Sequence, residues 1–457
     1  MPRVLIETHG CTLNQSDSDI METVLRNSGA DVSRGEYAND TDDMYDYVIM
    51  NTCTVKKQTE QRITGRLQRF SGLGRRLIVT GCMASANSDV IRKSAPGASI
   101  LSPANIMKVS EVINSDSRQE RLQYSRIPKP GLIGPSGSVI ARIPISEGCL
   151  SSCSFCETRF ARGPLNSFDG KVILRAIQMS ANAGAREIEL TSQDVGAYGA
   201  DSKTSIAELA MNASAIEGNF LMRIGMLNPE HLHRYFDDLI RAFNEPGSKL
   251  FRFLHLPVQS GNDRVLRDMK RRHTSGEFRS YVHELREKVR GISIATDVIV
   301  GYPTETESDY LETLNLLLEL KPTITNISKF SKRPHAPASG LRQLPANEVK
   351  RRSTEMSRMV RAMQQKEYSG LAGRKMHVLV TESSGSTASG RDISYRPIGI
   401  INPEAVAPGD VVTVEATGGS YACITAKAIH KMPFASFADS ANLNTLPAIL
   451  QANNAGV

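Results

Sequence analysis

The sequence predicts an α/β protein with an N-terminal open parallel sheet, a central partial (β/α)6 barrel and a small C-terminal antiparallel β-barrel. Short apolar runs alternate with helical stretches over the first 115 residues, and six further strand–helix pairs follow a Pro/Gly-rich stretch. From about residue 371, strand patterns follow one another without intervening helices. Strand–helix alternation is typical of parallel sheets, whereas consecutive strands indicate an antiparallel one.

The length of 457 residues is too great for one compact core, so several domains are expected. Residues 116–137 are polar, with closely spaced Pro and Gly, which is typical of a linker. The end of the chain shows no apolar period and is expected to be flexible. The predicted divisions are residues 1–115, the linker 116–137, residues 138–370, residues 371–432 and the tail 433–457.

The first domain repeats one pattern, in which a short apolar run leads into a cysteine. The three cysteines are Cys11, Cys53 and Cys82. The carboxyl ends of parallel strands meet at one edge of the sheet, where ligands bind. We therefore expect the three cysteines to converge on one metal site, although three free cysteines buried in a core would give the same pattern.

The central domain opens on a second group of three cysteines, Cys149, Cys153 and Cys156, with Phe155 before the last of them. Three thiolates at this spacing can hold three corners of a four-iron, four-sulfur cluster and leave one iron open. An open metal position is typical of a catalytic site. A zinc site is the alternative, but it needs a fourth ligand, and the next histidine along the chain is His231.

The barrel strands are expected to present polar groups at their carboxyl ends. The predicted strands are Val139–Ile145, Glu187–Thr191, Leu221–Leu227, Phe251–Pro257, Ser293–Val300 and Thr325–Phe330. Catalytic and binding groups of parallel barrels lie at this end of the strands. The candidates for binding a polar cofactor are Gln193, Asp194, His255, Gln259 and Ser260. His255 could equally be a structural histidine.

A basic segment follows the last barrel strand. Residues 329–375 contain twelve Lys or Arg and three Glu, a local charge of +9 in a chain whose net charge is +7. The candidate RNA-binding residues are Arg351, Arg352, Arg358, Arg361 and Lys375. A localised basic surface beside a small β-barrel is typical of nucleic-acid binding. A solvated helix face is the alternative.

The seven cysteines and the absence of apolar segments bear on the compartment. An odd, clustered set of cysteines favours metal binding in a reducing cytosol over a disulfide framework. The chain contains no run of 18 apolar residues, and its start lacks the pattern of a signal peptide. We therefore expect a cytoplasmic protein without a membrane partner.

Taken together, the two cysteine groups and the C-terminal β-domain resemble the radical S-adenosylmethionine (SAM) methylthiotransferase family over about residues 1–432. That family combines an N-terminal cluster domain, a radical SAM domain and a TRAM β-domain. The resemblance implies two [4Fe-4S] clusters, one on Cys149, Cys153 and Cys156 that binds SAM through its open iron, and an auxiliary one on Cys11, Cys53 and Cys82.

Several motifs resemble the subgroup that acts on N6-threonylcarbamoyladenosine beside the tRNA anticodon. They are Asn51-Thr-Cys-Thr-Val-Lys, Gly148-Cys-Leu, Ala161-Arg-Gly and Leu190-Thr-Ser-Gln-Asp-Val-Gly-Ala-Tyr-Gly. Ser260 stands where the branch that modifies a ribosomal-protein aspartate typically has His. His335-Ala336 departs from the Gly-Thr that relatives usually carry at that pair.

The resemblance implies radical SAM-dependent methylthiolation of adenine C2, an unactivated position from which no side-chain base could remove a proton. It also implies the anticodon stem-loop of tRNA as substrate, a ferredoxin- or flavodoxin-like electron donor, and a sulfur donor. The alternatives are methylthiolation of a prenylated adenosine or a ribosomal-protein aspartate, and a non-catalytic iron–sulfur or zinc protein that binds RNA.

Overall fold

The computed structural model describes residues 1–37, 44–54, 57–126, 128–134, 137–401 and 406–439. The predicted tail beyond residue 439 and the Val55-Lys56 end of one motif lie outside these ranges. The described part folds as an open parallel sheet, a partial parallel barrel and a closed antiparallel barrel. The predicted fold class is therefore confirmed.

The N-terminal sheet is parallel throughout, with the strand order β2-β1-β3-β4-β5-β6. Its strands are β1 Arg3–Thr8, β2 Asp31–Arg34, β3 Tyr47–Thr52, β4 Leu77–Gly81, β5 Ser99–Leu101 and β6 Glu120–Arg121. Its helices are α1 Thr12–Asn27, α2 Lys57–Arg69, α3 Cys82–Ala86, α4 Ser88–Ser94 and α5 Val109–Ile113. The central strands are apolar runs buried on both faces, as parallel strands between helix layers must be.

The central barrel is parallel in the order β7-β10-β11-β12-β13-β14, with β11 and β12 joined by the bridges Met222–Leu250 and Met226–His255. Its strands are β7 Ile140–Pro144, β10 Glu187–Thr191, β11 Leu221–Ile224, β12 Phe253–His255, β13 Ser293–Val300 and β14 Ile324–Lys329. A short antiparallel ribbon, β8 Ser146–Glu147 and β9 Asn166–Ser167, flanks the first barrel strand. It brackets the loop that carries Cys149.

Helices alternate with these strands. They are α6 Thr158–Arg162, α7 Gly170–Asn182, α8 Ile206–Ser214, α9 Phe236–Asn244, α10 Asp263–Asp268, α11 Ser275–Lys288, α12 Glu307–Leu320 and α13 Ala346–Ser369. Side chains start several of them: Asp169 caps α7, and Thr274 and Thr306 form capping boxes at α11 and α12. Single 3-10 turns occur at Ser71–Arg76, Pro103–Lys108, Lys129–Leu132, Val195–Ala197, Pro229–Arg234 and Pro337–Gly340.

The C-terminal domain is a closed barrel in the order β15-β16-β17-β19-β18. Its strands are β15 Lys375–Ser384, β16 Thr387–Arg391, β17 Pro397–Ile401, β18 Val411–Gly419 and β19 Ile424–Met432. The pairings are antiparallel except for β17 with β19. The helix α14 Phe434–Asp439 follows.

Two predicted segments differ in the structure. The expected linker contributes β6 to the N-terminal sheet and carries Lys129, which is buried against acidic side chains. The expected flexible tail begins with α14, because Phe437 is buried in a cluster with Phe251 and Phe253 of the central barrel. Tertiary partners, rather than local composition, order both segments.

The N-terminal sheet and the central barrel share one apolar core. Ile20 and Leu25 of α1 belong to the same buried cluster as Ile143 of β7 and Ile177 of α7. The carboxyl edge of the sheet faces the start of the central domain, because Thr54 after β3 contacts Glu157 and Cys82 after β4 contacts Arg162. Within the described residues, no helix is long and apolar enough to span a membrane.

Candidate active site

The loop that carries the central triad, Cys149, Cys153 and Cys156, is held in shape by its backbone. Gly148 has a φ of +76°, and a Cβ at this position would lie 2.0 Å from the carbonyl oxygen of Pro164. Only glycine allows this close approach. The amide of Cys156 donates to the carbonyl of Cys153 at 3.2 Å, which turns the chain tightly between these two thiols.

Ser154 fastens the loop to the barrel. Its hydroxyl lies 2.8 Å from the carbonyl oxygen of Asp268 and 2.8 Å from the hydroxyl of Tyr302, and its amide donates to the carbonyl of Met269 at 3.0 Å. The sequence analysis missed Ser154 and Tyr302, because neither a serine between cysteines nor a buried tyrosine marks a function by itself. Their contacts fix the triad relative to α10.

Two of the central thiols, those of Cys149 and Cys153, are poorly suited to carrying negative charge by themselves. Burial raises the pKa of the Cys149 thiol, and Asp194 and Cys156 raise it further. Burial also raises the pKa of Cys153, which the neighbouring Arg271 partly offsets from 3.5 Å. A coordinated metal would deprotonate such thiols outright, so Cys149 and Cys153 would bind it as thiolates.

The N-terminal triad, Cys11, Cys53 and Cys82, lies at the carboxyl ends of β1, β3 and β4. A Cβ on Gly10 would lie 3.0 Å from the Cβ of Cys53, which places the end of β1 against Cys53. Gly81 has a φ of +91°, and a Cβ there would lie 2.2 Å from the carbonyl oxygen of Thr52. These close approaches at glycine bring the three cysteines together at one edge of the sheet.

Arg162, at the end of α6, connects the two triads. Its Nε lies 3.3 Å from the sulfur of Cys82, and its terminal nitrogen lies 3.3 Å from Oδ1 of Asn14, which also accepts from the Cys11 thiol at 3.4 Å. Helix α6 follows the central triad directly and packs on α3, where Ala161 meets Cys82 and Ala86. The segment that leaves one triad therefore forms a wall of the other.

A buried ionic cluster supports this wall. Arg162 lies 2.7 Å from Asp17 and 3.0 Å from Glu147, and Lys129 lies 2.7 Å from Asp17 and 2.5 Å from Glu147. Burial would raise the pKa of Glu147, but Lys129 and Arg162 outweigh it and lower the pKa below its ordinary value. Pairing makes buried charges tolerable, and loss of one partner would leave the others uncompensated.

A cavity of about 360 Å³, here called the inter-triad cavity, is lined by Cys156 of the central triad and by the neighbour of one N-terminal cysteine. Its wall includes Thr54, next to Cys53, and Cys156, Glu157 and Phe155 of the central loop. The Thr54 hydroxyl donates to Glu157, so residues adjoining the two triads touch. The second carboxylate oxygen of Glu157, which lines this cavity, and the amide oxygen of Gln193, which lies outside its lining, are buried without a hydrogen-bond donor in the described structure. Such acceptors fit a cationic cofactor with ammonium and hydroxyl donors, as SAM is.

The barrel side of this cavity carries His255 and Gln259. His255 Nε2 lies 2.9 Å from Oδ1 of Asp297, which also accepts from the Asn326 amide at 2.8 Å. Gln259 adopts a φ of +71°, a conformation that costs a non-glycine residue free energy. Both residues line the cavity. The structure thus places His255 at the cavity and fixes its ring through a carboxylate.

The other two predicted cofactor residues, Asp194 and Ser260, lie in different surroundings. Asp194 lies near Cys149, and its Oδ1 accepts from the amides of Gly196 and Asn228, both at 3.0 Å. Ser260 lies outside the cavity lining: it is buried and its hydroxyl faces Thr313 of α12 at 3.4 Å. A one-residue step past Gln259 turns its side chain away from the site.

The Arg333–Ala336 loop joins the barrel to the N-terminal domain. Arg333 pairs with Glu60 of α2 at 2.7 Å. The His335 ring stacks on Phe160 with centroids 3.6 Å apart, and its Nε2 lies 2.8 Å from the carbonyl oxygen of Ala86. The unusual histidine thus contacts both α6 and the helix that begins at Cys82.

The predicted RNA-binding arginines do not share one environment. Arg352 is a wrong prediction: it is buried and paired with Glu305 at 2.8 Å, Glu307 at 3.0 Å and Glu348. Arg351 is exposed, but it pairs with Glu307 at 2.6 Å and with Glu355. The helical periodicity of the sequence placed Arg351 and Arg352 on the polar side of the helix. In the structure, the neighbouring glutamates already compensate the charge of both arginines. Arg358, Arg361 and Lys375 are exposed.

Neither triad has the geometry of a site for one metal ion. Within the described ranges, no three His, Cys, Asp or Glu side chains are grouped to hold a single ion. A cubane cluster spreads its thiolates over separate irons, whereas zinc draws its ligands around one centre.

Two family models match the chain. Residues 3–102 match the uncharacterized protein family UPF0004, and residues 143–317 match the radical SAM superfamily. Among solved structures, a radical S-adenosylmethionine methyltransferase from Kitasatospora setae superimposes with a TM-score of 0.52 at 14% identity, over 84% of this chain and 79% of that one. At that identity the likeness concerns the fold.

Curated relatives match over nearly the whole chain. The chain is 38% identical to a probable threonylcarbamoyladenosine tRNA methylthiotransferase of Methanothermobacter thermautotrophicus, over 87% of this chain and 93% of the relative. It is 38% identical to the similarly named protein of Archaeoglobus fulgidus, over 87% and 92%. It is 33% identical to the threonylcarbamoyladenosine tRNA methylthiotransferase of Drosophila melanogaster, over 84% and 69%.

Proposed function

The chain belongs to the threonylcarbamoyladenosine tRNA methylthiotransferase family, and we propose that it adds a methylthio group to C2 of N6-threonylcarbamoyladenosine beside the tRNA anticodon. The inter-triad cavity is the observation that carries this proposal. Thr54, next to Cys53, and Cys156 share its wall. A transfer that uses two cofactors needs both to face one small space that also admits the substrate base.

In this proposal, the central triad holds a [4Fe-4S] cluster with SAM, and the N-terminal triad holds a second [4Fe-4S] cluster with the sulfur to be transferred. When bound, these groups supply the one-electron chemistry that removes hydrogen from an unactivated carbon. The central loop brings three thiols together within eight residues and turns tightly between Cys153 and Cys156, and this supports metal ligation at the central site. Burial raises the pKa of the Cys82 thiol and Arg162 partly offsets this rise, so the guanidinium would pair with a metal-bound thiolate at the other site.

The protein's own residues bind, orient and shield. Gln193 would accept from the amino group of SAM through its buried, unpartnered oxygen. Asp194, held by two backbone amides, would orient the same part of the cofactor. Phe155 gives the cavity an apolar wall that excludes water. His255, fixed by Asp297, offers a polar group to the substrate or to SAM.

The proposal implies an electron donor such as a ferredoxin or flavodoxin, a sulfur donor, and a cytoplasmic setting in which tRNA is available. The exposure of Cys11 supports access of a sulfur donor to the N-terminal triad. An anticodon loop is single-stranded, so the target adenosine can be splayed into the cavity at small cost.

The experiment uses anaerobically reconstituted full-length protein with SAM, a reductant and a sulfide source. The substrate is an anticodon stem-loop bearing N6-threonylcarbamoyladenosine, and nucleoside mass spectrometry should show its 2-methylthio derivative. Stem-loops bearing unmodified or prenylated adenosine, and a ribosomal-protein peptide with the target aspartate, serve as controls. Product on the prenylated stem-loop or the peptide, and none on the threonylcarbamoyl stem-loop, would contradict the proposal.

A further inference from the structure

A second cavity, of about 460 Å³, lies between the last barrel strand and the long helix that follows it. We call it the β14–α13 groove; its polar lining is Lys329, Ser353, Thr354, Ser357, Arg358 and Arg361. Its lining contains three cations and several hydroxyls, and no carboxylate among the residues that the structure describes. An anion is the ligand that such a surface fits.

The cations of this groove are not compensated by the protein. Lys329 and Arg358 are exposed and, in the described part of the chain, have no ion-pair partner. Arg361 lies over the ring of Tyr421, 4.7 Å from its centroid. Arg351 on the same helix behaves differently, because Glu307 and Glu355 flank it. The groove therefore gathers uncompensated cations from β14 and from the second half of α13.

Lys329 connects the groove with the inter-triad cavity. It is the last residue of β14, at the carboxyl end of the barrel, and it lines both spaces. Asn326 and Ser328 of the same strand line the inter-triad cavity, whereas Ile327 lines the groove. A chain lying in the groove would thus pass Lys329 where the mouth of the cavity begins.

We infer that the β14–α13 groove binds the phosphodiester backbone of the nucleotide presented to the inter-triad cavity. Lys329 contacts the phosphate next to the target nucleoside, and Arg358 and Arg361 contact the phosphates that follow. The groove is open, as a strand that enters and leaves requires, and its hydroxyls supply further donors to phosphate oxygens. The exposed ring of Tyr421, with Arg361 over it, continues the path onto the C-terminal barrel.

This inference rests on the proposed function and adds a place for the RNA backbone. A basic surface that is merely solvated would also leave Lys329, Arg358 and Arg361 without ion-pair partners, so it is the competing explanation. A double-mutant cycle distinguishes the two cases. If Lys329 contacts a particular phosphate, removing either charge abolishes the same contact, so the two losses of binding free energy are not additive. If the attraction is general, each removed charge weakens binding independently and the losses add.

The test is a double-mutant cycle between Lys329→Ala and neutral methylphosphonates placed at either phosphate flanking the target nucleoside. Binding of the threonylcarbamoyladenosine stem-loop is measured across a salt series. Lys329→Ala should weaken binding roughly tenfold, as expected for one charge-assisted contact. It should also lower the slope of log K against log salt by about one unit, as should Arg358→Ala. On one of the two methylphosphonate stem-loops, Lys329→Ala and the wild type should bind with equal affinity, because the contact that the substitution removes is already absent there.

The matched control is Arg279→Ala, which removes a half-exposed arginine of α11 that pairs with Glu319 at 2.7 Å. Its affinity and slope should equal those of the wild type, and thermal midpoints should show that every variant folds. Equal slopes for wild type and Lys329→Ala, or additive losses on both methylphosphonates, would overturn the inference. Methylthiolation of the same stem-loop is assayed in parallel. A wild type that shows the coupling but forms no product would contradict the proposed function and leave the groove assignment intact.

Discussion

Arg162 Nε lies 3.3 Å from the sulfur of Cys82, although the two residues belong to different domains. The arginine ends the helix that leaves the central triad, and the cysteine begins the helix that leaves β4. The contact is buried, and Asp17 and Glu147 hold the guanidinium in place. The position of one cysteine group is thereby tied to the local structure of the other.

Replacing Arg162 should change the redox properties of the N-terminal site. A hydrogen bond to a ligating sulfur raises the reduction potential of an iron–sulfur cluster, so Arg162→Lys, which loses the planar donor, should lower it. A redox titration followed by electron paramagnetic resonance would measure the potential. Arg162→Met should also destabilise the fold by about 3–5 kcal/mol, because it leaves buried carboxylates unpaired.

Arg159→Ala is the control for this prediction, since Arg159 lies on the same helix with its side chain exposed. Its potential and thermal midpoint should match those of the wild type. An unchanged potential in Arg162→Lys, with both clusters present, would show that the contact to Cys82 does not persist when iron is bound.

Removing the central triad should remove one cluster and leave the other. Reconstituted wild type should hold about eight irons in two cubane clusters. The triple variant Cys149→Ala, Cys153→Ala, Cys156→Ala should hold about half of that, because Cys11, Cys53 and Cys82 lie in a separate sheet. Iron analysis and absorption spectra measure this. Undiminished iron in the variant, or stoichiometric zinc in the wild type, would refute the assignment.

Removing the N-terminal triad should separate two activities. With Cys11, Cys53 and Cys82 replaced by Ala, the central triad and its Ser154 anchors remain intact. Reductive cleavage of SAM should therefore continue, while no methylthio group reaches the RNA. Chromatography of the cleavage products and nucleoside mass spectrometry report the two activities separately. Loss of SAM cleavage in a variant that retains the central cluster's iron would show that the division of tasks is different.

The sequence predicted those parts of the fold that depend on apolar runs. The predicted bounds of β10 and β13 agree with the structure, because both strands carry β-favouring Ile, Leu or Val residues. The strand β16, Thr-Ala-Ser-Gly-Arg, was missed, since its pattern is polar and its neighbours in the barrel define it. Cysteines placed after strands located both triads, because strand ends fix positions in parallel sheets.

The environment of charged side chains was not predictable in the same way. Lys129 lay in an apparent linker and Arg352 on the polar side of a helix, yet both are buried among carboxylates. Their partners come from distant segments, so no local pattern marks them. The contact between Arg162 and Cys82 is of the same kind, which explains why two cysteine groups could be predicted but not the link between them.

A further prediction concerns the joint between the central and C-terminal barrels. Glu187 is buried in β10 and accepts a hydrogen bond from the hydroxyl of Tyr395, which precedes β17. Burial, followed by repulsion from Glu189, raises the pKa of Glu187 from 4.5 to about 7. The folded protein therefore binds the carboxyl proton of Glu187 more tightly than the unfolded chain does. Its contribution to stability is present below pH 4.5 and is lost as the pH rises through about 7.

Glu187→Gln should remove this dependence, because a neutral amide keeps an acceptor for Tyr395 without a charge to bury. The thermal midpoint of the variant should fall less than that of the wild type between pH 4.5 and about 7, as scanning calorimetry at closely spaced pH values would measure. Glu287→Gln, which replaces an exposed carboxylate on α11, should follow the wild type. Parallel curves for Glu187→Gln and the wild type would mean that folding does not raise the pKa of the Glu187 carboxyl group.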